Sequence, residues 1–200
     1  PEGFTALFNG EDLFGWKGLV ENPPARRAMT AAALADKQAE ADSIMRRHWR
    51  AEVGELRFDG EGFYNICTAK DYRNFELQID WKIGKNGDSG IYLRGCPQVQ
   101  IWDPEQWQIG SGGLYNNQEH PKDPPIIADN PTGEWNRFRI LMEEDRVTVY
   151  LNNILVVDDV VLENYWERGK ALYPFGQIEL QAHKSPLAFR NIFIREIDPA

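Results

Sequence analysis

Apolar and polar residues alternate with period two along most of this chain. Phe75, Leu77, Ile79, Trp81 and Ile83 alternate with Glu76, Gln78, Asp80 and Lys82, which predicts a long strand with one apolar and one polar face. Ile91, Leu93, Val99 and Ile101 alternate with Tyr92, Arg94, Gln98, Gln100 and Trp102, which predicts two strands joined by a Gly95-Cys96-Pro97 turn. Further strands are expected at 4–8, 64–68, 154–157, 176–183 and 187–196. Hairpins are expected at 49–59 around Gly54 and at 135–151. Residues 30–47 are the one strong helical segment, with Thr30 suited to cap its start and Arg46 and Arg47 suited to its negative end. Leu34, Ala41, Ile44 and Met45 form only a narrow apolar stripe, so this helix reads as an insertion lying on the body of the domain. Residues 21–27 read as irregular, and 104–133, dense in Pro, Gly and Asn, as a long functional loop. Many short strands with polar turns and one inserted helix predict an all-β, two-sheet antiparallel β-sandwich, a single domain over 1–200. Leu77, Ile79, Ile91, Leu93, Val99, Ile101, Phe138, Ile140, Ile178 and Leu180 are expected between the sheets.

Composition narrows the partners. A hydrophobic fraction of 42% with seven Trp indicates a packed core. The net charge of −9 argues against nucleic acid or an anionic membrane, both of which demand a basic surface. No apolar run approaches the ~18 residues a membrane-spanning helix needs. The chain opens at Pro1 without a Met, so the lack of a visible signal peptide carries no weight. Cys67 and Cys96 suit either one disulfide or two buried thiols, and neither has metal-site spacing with a histidine.

The polar strand faces carry the candidate chemistry. An ordinary solvated face would hold Lys, Thr, Ser and Glu. This one holds Arg94, Gln98, Gln100, Tyr92 and Trp102: planar hydrogen-bonding groups beside aromatic rings, suited to sugar hydroxyls and sugar C–H faces. Gln177, Glu179, Gln181 and His183 alternate with Ile178, Leu180 and Ala182 and could lie beside them. Asp103 ends its strand at the mouth of the long loop, and His120 lies within that loop. There is no Glu-x-Asp-x-x-Glu run of a sandwich-fold glycosidase, no Gly-x-Ser-x-Gly elbow, no Gly-rich phosphate loop and no His-Glu-x-x-His.

The chain resembles the 3-keto-disaccharide hydrolase domain family through Phe8-Asn9-Gly10-Glu11-Asp12-Leu13-Phe14-Gly15-Trp16 and Asp71 to Leu77. The resemblance continues in Asp88 to Arg94, Gly113-Leu114-Tyr115-Asn116, Gly133 to Asn136, Gly176 to His183 and Phe189 to Ile192. It implies a concanavalin A-like jelly roll, carbohydrate as substrate, and an exported, periplasmic or extracellular bacterial protein. Three features depart from the wider family: Gln98 where many members have Glu, Lys184 where many have Gly, and the helical insertion, which resembles one subgroup.

The resemblance also implies a mechanism. A ketone at C3 of a sugar acidifies the C2 proton, a base removes it, the enolate expels the C1 substituent, and water adds to the alkene. On that mechanism His183 or Glu179 is the expected base, Arg94 the oxyanion partner, and Asp103 or His120 the acid. Tyr92, Gln98, Gln100, Trp102, Tyr115, Asn116 and Gln181 are the expected sugar-positioning residues. No cofactor is expected. A divalent metal is the alternative electrophile, with Asp103, Glu179 and His183 as candidate ligands and no spacing that demonstrates it. Two rival readings share the fold: a carbohydrate-binding module without turnover, and a protein-interaction sandwich.

Overall fold

The computed structural model describes residues 1–198. Its strands are β1 (Thr5–Ala6), β2 (Trp16–Gly18), β3 (Trp49–Glu52), β4 (Glu55–Phe58), β5 (Ile66–Thr68), β6 (Phe75–Ile83), β7 (Asp88–Leu93), β8 (Cys96–Trp102), β9 (Asn136–Glu143), β10 (Arg146–Leu151), β11 (Ile154–Val161), β12 (Glu179–Leu180) and β13 (Leu187–Glu196). Helices α1 (Pro23–Ala28) and α2 (Ala31–His48) sit between β2 and β3. The strands form two antiparallel sheets. The larger runs β11-β10-β9-β6-β13-β4-β3 with β1 added on β13, and the smaller runs β2-β5-β12-β7-β8. This is the two-sheet sandwich that the alternation predicts. All ten residues expected between the sheets have no solvent exposure.

The inserted helix closes an open sheet edge. Thr30 Oγ1 accepts a hydrogen bond from Ala33 N at 3.2 Å, and Arg46, Arg47 and His48 occupy the last turn. The helix backbone lies directly on β2: a Cβ added to Gly18 would be 2.2 Å from the Ala41 carbonyl oxygen. Gly18 N donates to Asp42 Oδ1 at 2.9 Å, and Gln38 Nε2 donates to Gly18 O at 2.9 Å. Both backbone polar groups of Gly18 on the edge strand are thereby satisfied by side chains of α2.

Three local features differ from the sequence reading. Residues 23–28 are helical, because Asn22 caps the segment (its Oδ1 accepts from Ala25 N at 2.9 Å) and proline occupies the first turn. The β7–β8 turn is Arg94-Gly95, both in the left-handed region at φ 53° and 77°, with Leu93 opposite Cys96. The strand expected over 176–183 is regular only at Glu179–Leu180, although Gln181 N still donates to Gly90 O at 3.0 Å. Cys67 and Cys96 are free and buried, and burial pushes both thiols up to about 12.

Candidate functional site

The register of the smaller sheet brings one polar face together. Glu179 stands opposite Tyr92, Gly90 opposite Gln100, and Asp88 opposite Trp102. Period two therefore puts Asp88, Tyr92, Gln98, Gln100, Glu179, Gln181 and His183 on the outer face of this sheet. Walls rise around it from residues 19–22 ahead of α1, from α2, from residues 63–65, and from Trp166. The result is a recess of about 330 Å3 lined by Glu179, Tyr92, Trp166, Phe63, Tyr64 and Asn65 with Ile44 and Met45 of α2. Trp166 is fixed by donating its indole N–H to Gly95 O at 2.7 Å.

Glu179 is the carboxyl this arrangement brings nearest to neutrality. Its side chain is 2% exposed, and its Oε1 has no hydrogen-bond partner. The nearest cation, Arg26 Nη2 of α1, stands 3.6 Å away, close enough to attract and too far to bond. Arg26 is held there by donating Nη1 to Val20 O at 2.8 Å and to Glu21 O at 2.5 Å. Burial outweighs the attraction of Arg26 and pushes the Glu179 carboxyl up to about 7. Burial and the neighbouring Glu179 also raise Tyr92, which keeps its phenol protonated. Tyr92 Oη accepts from Gln181 Nε2 at 3.4 Å, leaving its own proton free to donate.

At the other end of the face a second set of polar groups interlocks. Gln98 Nε2 donates to Gln100 Oε1, and Gln100 Nε2 donates to Asp88 Oδ1 at 2.8 Å. Asp88 Oδ2 lies 3.5 Å from His183 Nδ1, and the His183 ring packs edge-on against Phe63. Burial raises Asp88, opposed by His183 and Gln100. Gly90 makes this packing fit: a Cβ there would be 2.7 Å from Gln98 Cδ. Gln98 is thus a buried member of a hydrogen-bonded row. Four residues of β7 separate Asp88, beside His183, from Tyr92, opposite Glu179, by roughly 13 Å, so Glu179 and His183 serve different parts of the face.

The other expected site residues lie elsewhere. The left-handed conformation of Arg94 takes its side chain out of the strand alternation, and its Nη1 donates to Pro174 O at 3.2 Å. Burial would raise Asp103, but bonds from Thr132 Oγ1 at 2.6 Å, Asn86 N at 2.8 Å and Glu105 N at 3.0 Å hold it below its usual range. Asp103 is a loop anchor. Trp102 donates its indole N–H to Gly110 O at 2.6 Å and stacks on Trp107, with Tyr115 edge-on. His120 leans on Glu163, whose carboxylate also accepts the backbone N–H groups of Gln118, Glu119 and His120. Asn116 O accepts from Arg168. The long loop runs along the free edge of β8, with Gln100 N donating to Gly113 O at 3.0 Å and Gly112 N to Gln100 O at 2.8 Å. The walls of the recess come from other segments.

The three side chains named as candidate metal ligands are not brought together: Asp103 is in its loop, and Glu179 and His183 lie at opposite ends of the face. Among the described residues, His48, Asp59 and Glu61 are the group of three with ligand atoms within mutual reach. Sequence reasoning missed Arg26, Phe63, Asn65 and Trp166. The Asn22-Pro23 capping pair was a usable signal for α1 and hence for Arg26; nothing local marks the other three.

A jelly-roll sandwich with a buried carboxyl on a polar, aromatic-walled sheet face is the architecture of a carbohydrate-active protein of the glycosyl-hydrolase kind. The chain belongs to the family of 3-keto-alpha-glucoside-1,2-lyase-like domains, whose model matches residues 3–195. It is similar to a 3-keto-disaccharide hydrolase of Bacteroides thetaiotaomicron, 21% identical over 98% of this chain and 79% of that protein. Among solved structures it is similar to a Parabacteroides distasonis protein provisionally named a glycosyl hydrolase. That likeness has TM-score 0.70 and 25% identity over 98% of this chain and 95% of the other. A carbohydrate-binding module from Bacillus subtilis shares the fold, with TM-score 0.56 and 12% identity over 92% and 97% of the two chains.

Proposed function

We propose that this protein cleaves 3-keto-glycosides by elimination and hydration, with Glu179 as the base. The observation that carries the reading is the buried Glu179 carboxyl, lining the recess with one unpartnered oxygen and a pKa of about 7. Such a group is near half-ionised at neutral pH, where a general base is most effective. The carboxylate takes the proton from C2 of a ring bearing a C3 ketone, and the C–H electron pair becomes the enolate. The Tyr92 hydroxyl, steadied by Gln181, donates a hydrogen bond to the enolate oxygen. Collapse of the enolate forms C1=C2 and breaks the C1–O bond, and the departing oxygen takes the proton now on Glu179. Water then adds its hydroxyl to C1 and a proton to C2, so the sum is hydrolysis. Phe63 and Trp166 supply flat surfaces for the sugar ring. Arg26 keeps part of the Glu179 population ionised. The exported location implied by the resemblance fits such a substrate.

The test is incubation with a 3-keto-disaccharide and with its unoxidised parent, followed by product analysis and measurement of deuterium loss from C2. Cleavage of the keto-sugar alone, with C2 exchange, is expected. Inertness toward varied keto-sugars together with binding of intact glycans would overturn the reading in favour of a binding module.

A further inference from the structure

Arg94 is a costly residue that the proposed chemistry leaves unused. It is 2% exposed, yet no carboxylate lies within 4.0 Å of it among the described residues. Only Nη1 has a partner, the Pro174 carbonyl; Nε and Nη2 are buried without one. Glu144 and Asp145 act on it only from beyond pairing distance, a buried guanidinium with no bonded carboxylate is unfavourable, and burial lowers its pKa to about 10, so it stays charged at neutral pH. The chain also goes out of its way to hold it there. Arg94 sits in a left-handed turn, and Gly176 packs so closely that a Cβ would be 2.4 Å from the Arg94 carbonyl oxygen.

Arg94 lines a second cavity of about 340 Å3, together with Arg26, Arg27, Asp71, Tyr173 and Gln177. Arg27 pairs with Glu167 and lies over the Tyr173 ring, and Arg26 is shared with Glu179. Arg94 alone lacks an acid. Gln177 is 8% exposed, and its Oε1 is also buried without a partner, an acceptor that asks for a hydroxyl donor. One pocket therefore carries an unmatched cation and an unmatched hydrogen-bond acceptor. Arg26 of this cavity stands 3.6 Å from Glu179, which lines the neighbouring recess.

We propose that this second cavity binds a sugar acid, a small hydroxylated carboxylate whose charge is met by Arg94 and whose hydroxyl is met by Gln177. The occupant is either a free sugar acid or the carboxylate-bearing ring of a larger glycoside. The proposal goes beyond the Glu179 chemistry and is tested by binding, so the two can fail separately. The full chain is titrated calorimetrically at neutral pH with glucuronate, methyl glucuronide, glucose and sulfate. Glucuronate is expected to bind where glucose does not, and more tightly than sulfate. Arg94→Gln should weaken it at least about tenfold, the usual worth of a charge-assisted pair. Arg27→Gln, on the exposed rim, should weaken it by a smaller factor and carries the test if Arg94→Gln fails to fold. Glu179→Gln should leave the affinity within about twofold. Tighter binding of methyl glucuronide than of glucuronate assigns the glycoside ring, and the reverse order the free acid; both support the site. Equal binding of glucuronate and glucose, equal binding of sulfate, or affinity unchanged in the arginine variants would overturn it.

Discussion

The outer faces of the two sheets carry the same residue types and use them oppositely. On the larger sheet, Glu76 and Asp80 are nearly inaccessible, at 3% and 4% exposure, yet fully matched. Glu76 takes Arg139 Nε at 2.6 Å and Arg195 Nη2; Asp80 takes Arg137 Nε at 2.6 Å, Arg190 and Asn191 Nδ2 at 2.7 Å. Burial would raise Glu76, but its two arginines hold it below its usual range. On the smaller sheet, Glu179 has a single arginine at 3.6 Å and is driven the other way, to about 7. Both carboxyls are buried and both lie mid-sheet. The number of bonded cations decides which of them is a fastener and which is available for proton transfer.

The largest expected effect separates the two directly. Glu179→Gln removes the proton acceptor and keeps the shape, so turnover of a 3-keto-glycoside should fall by at least about a hundredfold. Glu76→Gln should leave kcat/KM within about threefold of the unaltered chain. Steady-state kinetics on both variants checks this; comparable losses would erase the distinction.

The same contrast fixes the sign of two pH dependences. Glu179 binds its proton more tightly folded than unfolded, so unfolding releases a proton between about 4.5 and about 7. Its contribution to stability is therefore highest below that window and declines as pH rises through it. Glu76, depressed in the folded state, contributes stability above its unfolded value that is lost on acidification. A rise from 4.5 to about 7 corresponds to at most about 3 kcal/mol. Glu179→Gln should thus gain roughly 2 kcal/mol relative to the unaltered chain on moving from pH 4 to pH 8. Urea unfolding at the two pH values measures it, and a gain at pH 4 instead would reverse the assignment.

Breaking the matched face has a smaller cost than its burial suggests. Arg139 and Arg195 are 42% and 48% exposed, so solvent already screens much of their attraction. Glu76→Gln should destabilise by about 1–2 kcal/mol, read as a shift in the denaturation midpoint with unchanged m-value. A loss above about 4 kcal/mol would show these pairs behaving as a dry core pair.

What alternation alone could show was the sandwich, and it did so because a period of two survives wherever strands are long. The ten core positions and the row Gln98, Gln100, Glu179 and Gln181 follow from parity along single strands. Arg94 was misplaced because parity ends at a turn, and the turn falls at Arg94-Gly95 rather than at Gly95-Cys96-Pro97. Asp103, His120 and Trp102 have the right chemistry, but loop backbone bonds Asp103 and Trp102 and the Glu163 carboxylate holds the His120 ring, contacts that no local pattern marks. Arg26 is the converse. It lies in a segment read as irregular, and only the docking of α1 beside Gly95 brings it to Glu179; a Cβ on Gly95 would meet Arg26 Nη2 at 3.6 Å and Glu179 Oε1 at 3.5 Å.

The smallest expected effect concerns a histidine with a carboxylate partner that is nonetheless not part of the recess. Glu163 accepts three backbone N–H groups from residues 118–120, at 2.8 to 3.0 Å, besides the His120 ring at 3.2 Å. Burial opposes these bonds, and they still hold its carboxyl down to about 2. The backbone bonds carry the anchoring, and the ring is 40% exposed. His120→Ala should therefore change stability by no more than about 0.5 kcal/mol and activity by less than about twofold. Glu163→Ala, which releases all three N–H groups, should cost about 1–3 kcal/mol. Thermal denaturation of both variants alongside turnover provides the comparison. A hundredfold loss of activity in His120→Ala with unchanged stability would place that ring in the chemistry and move the reacting centre away from Glu179.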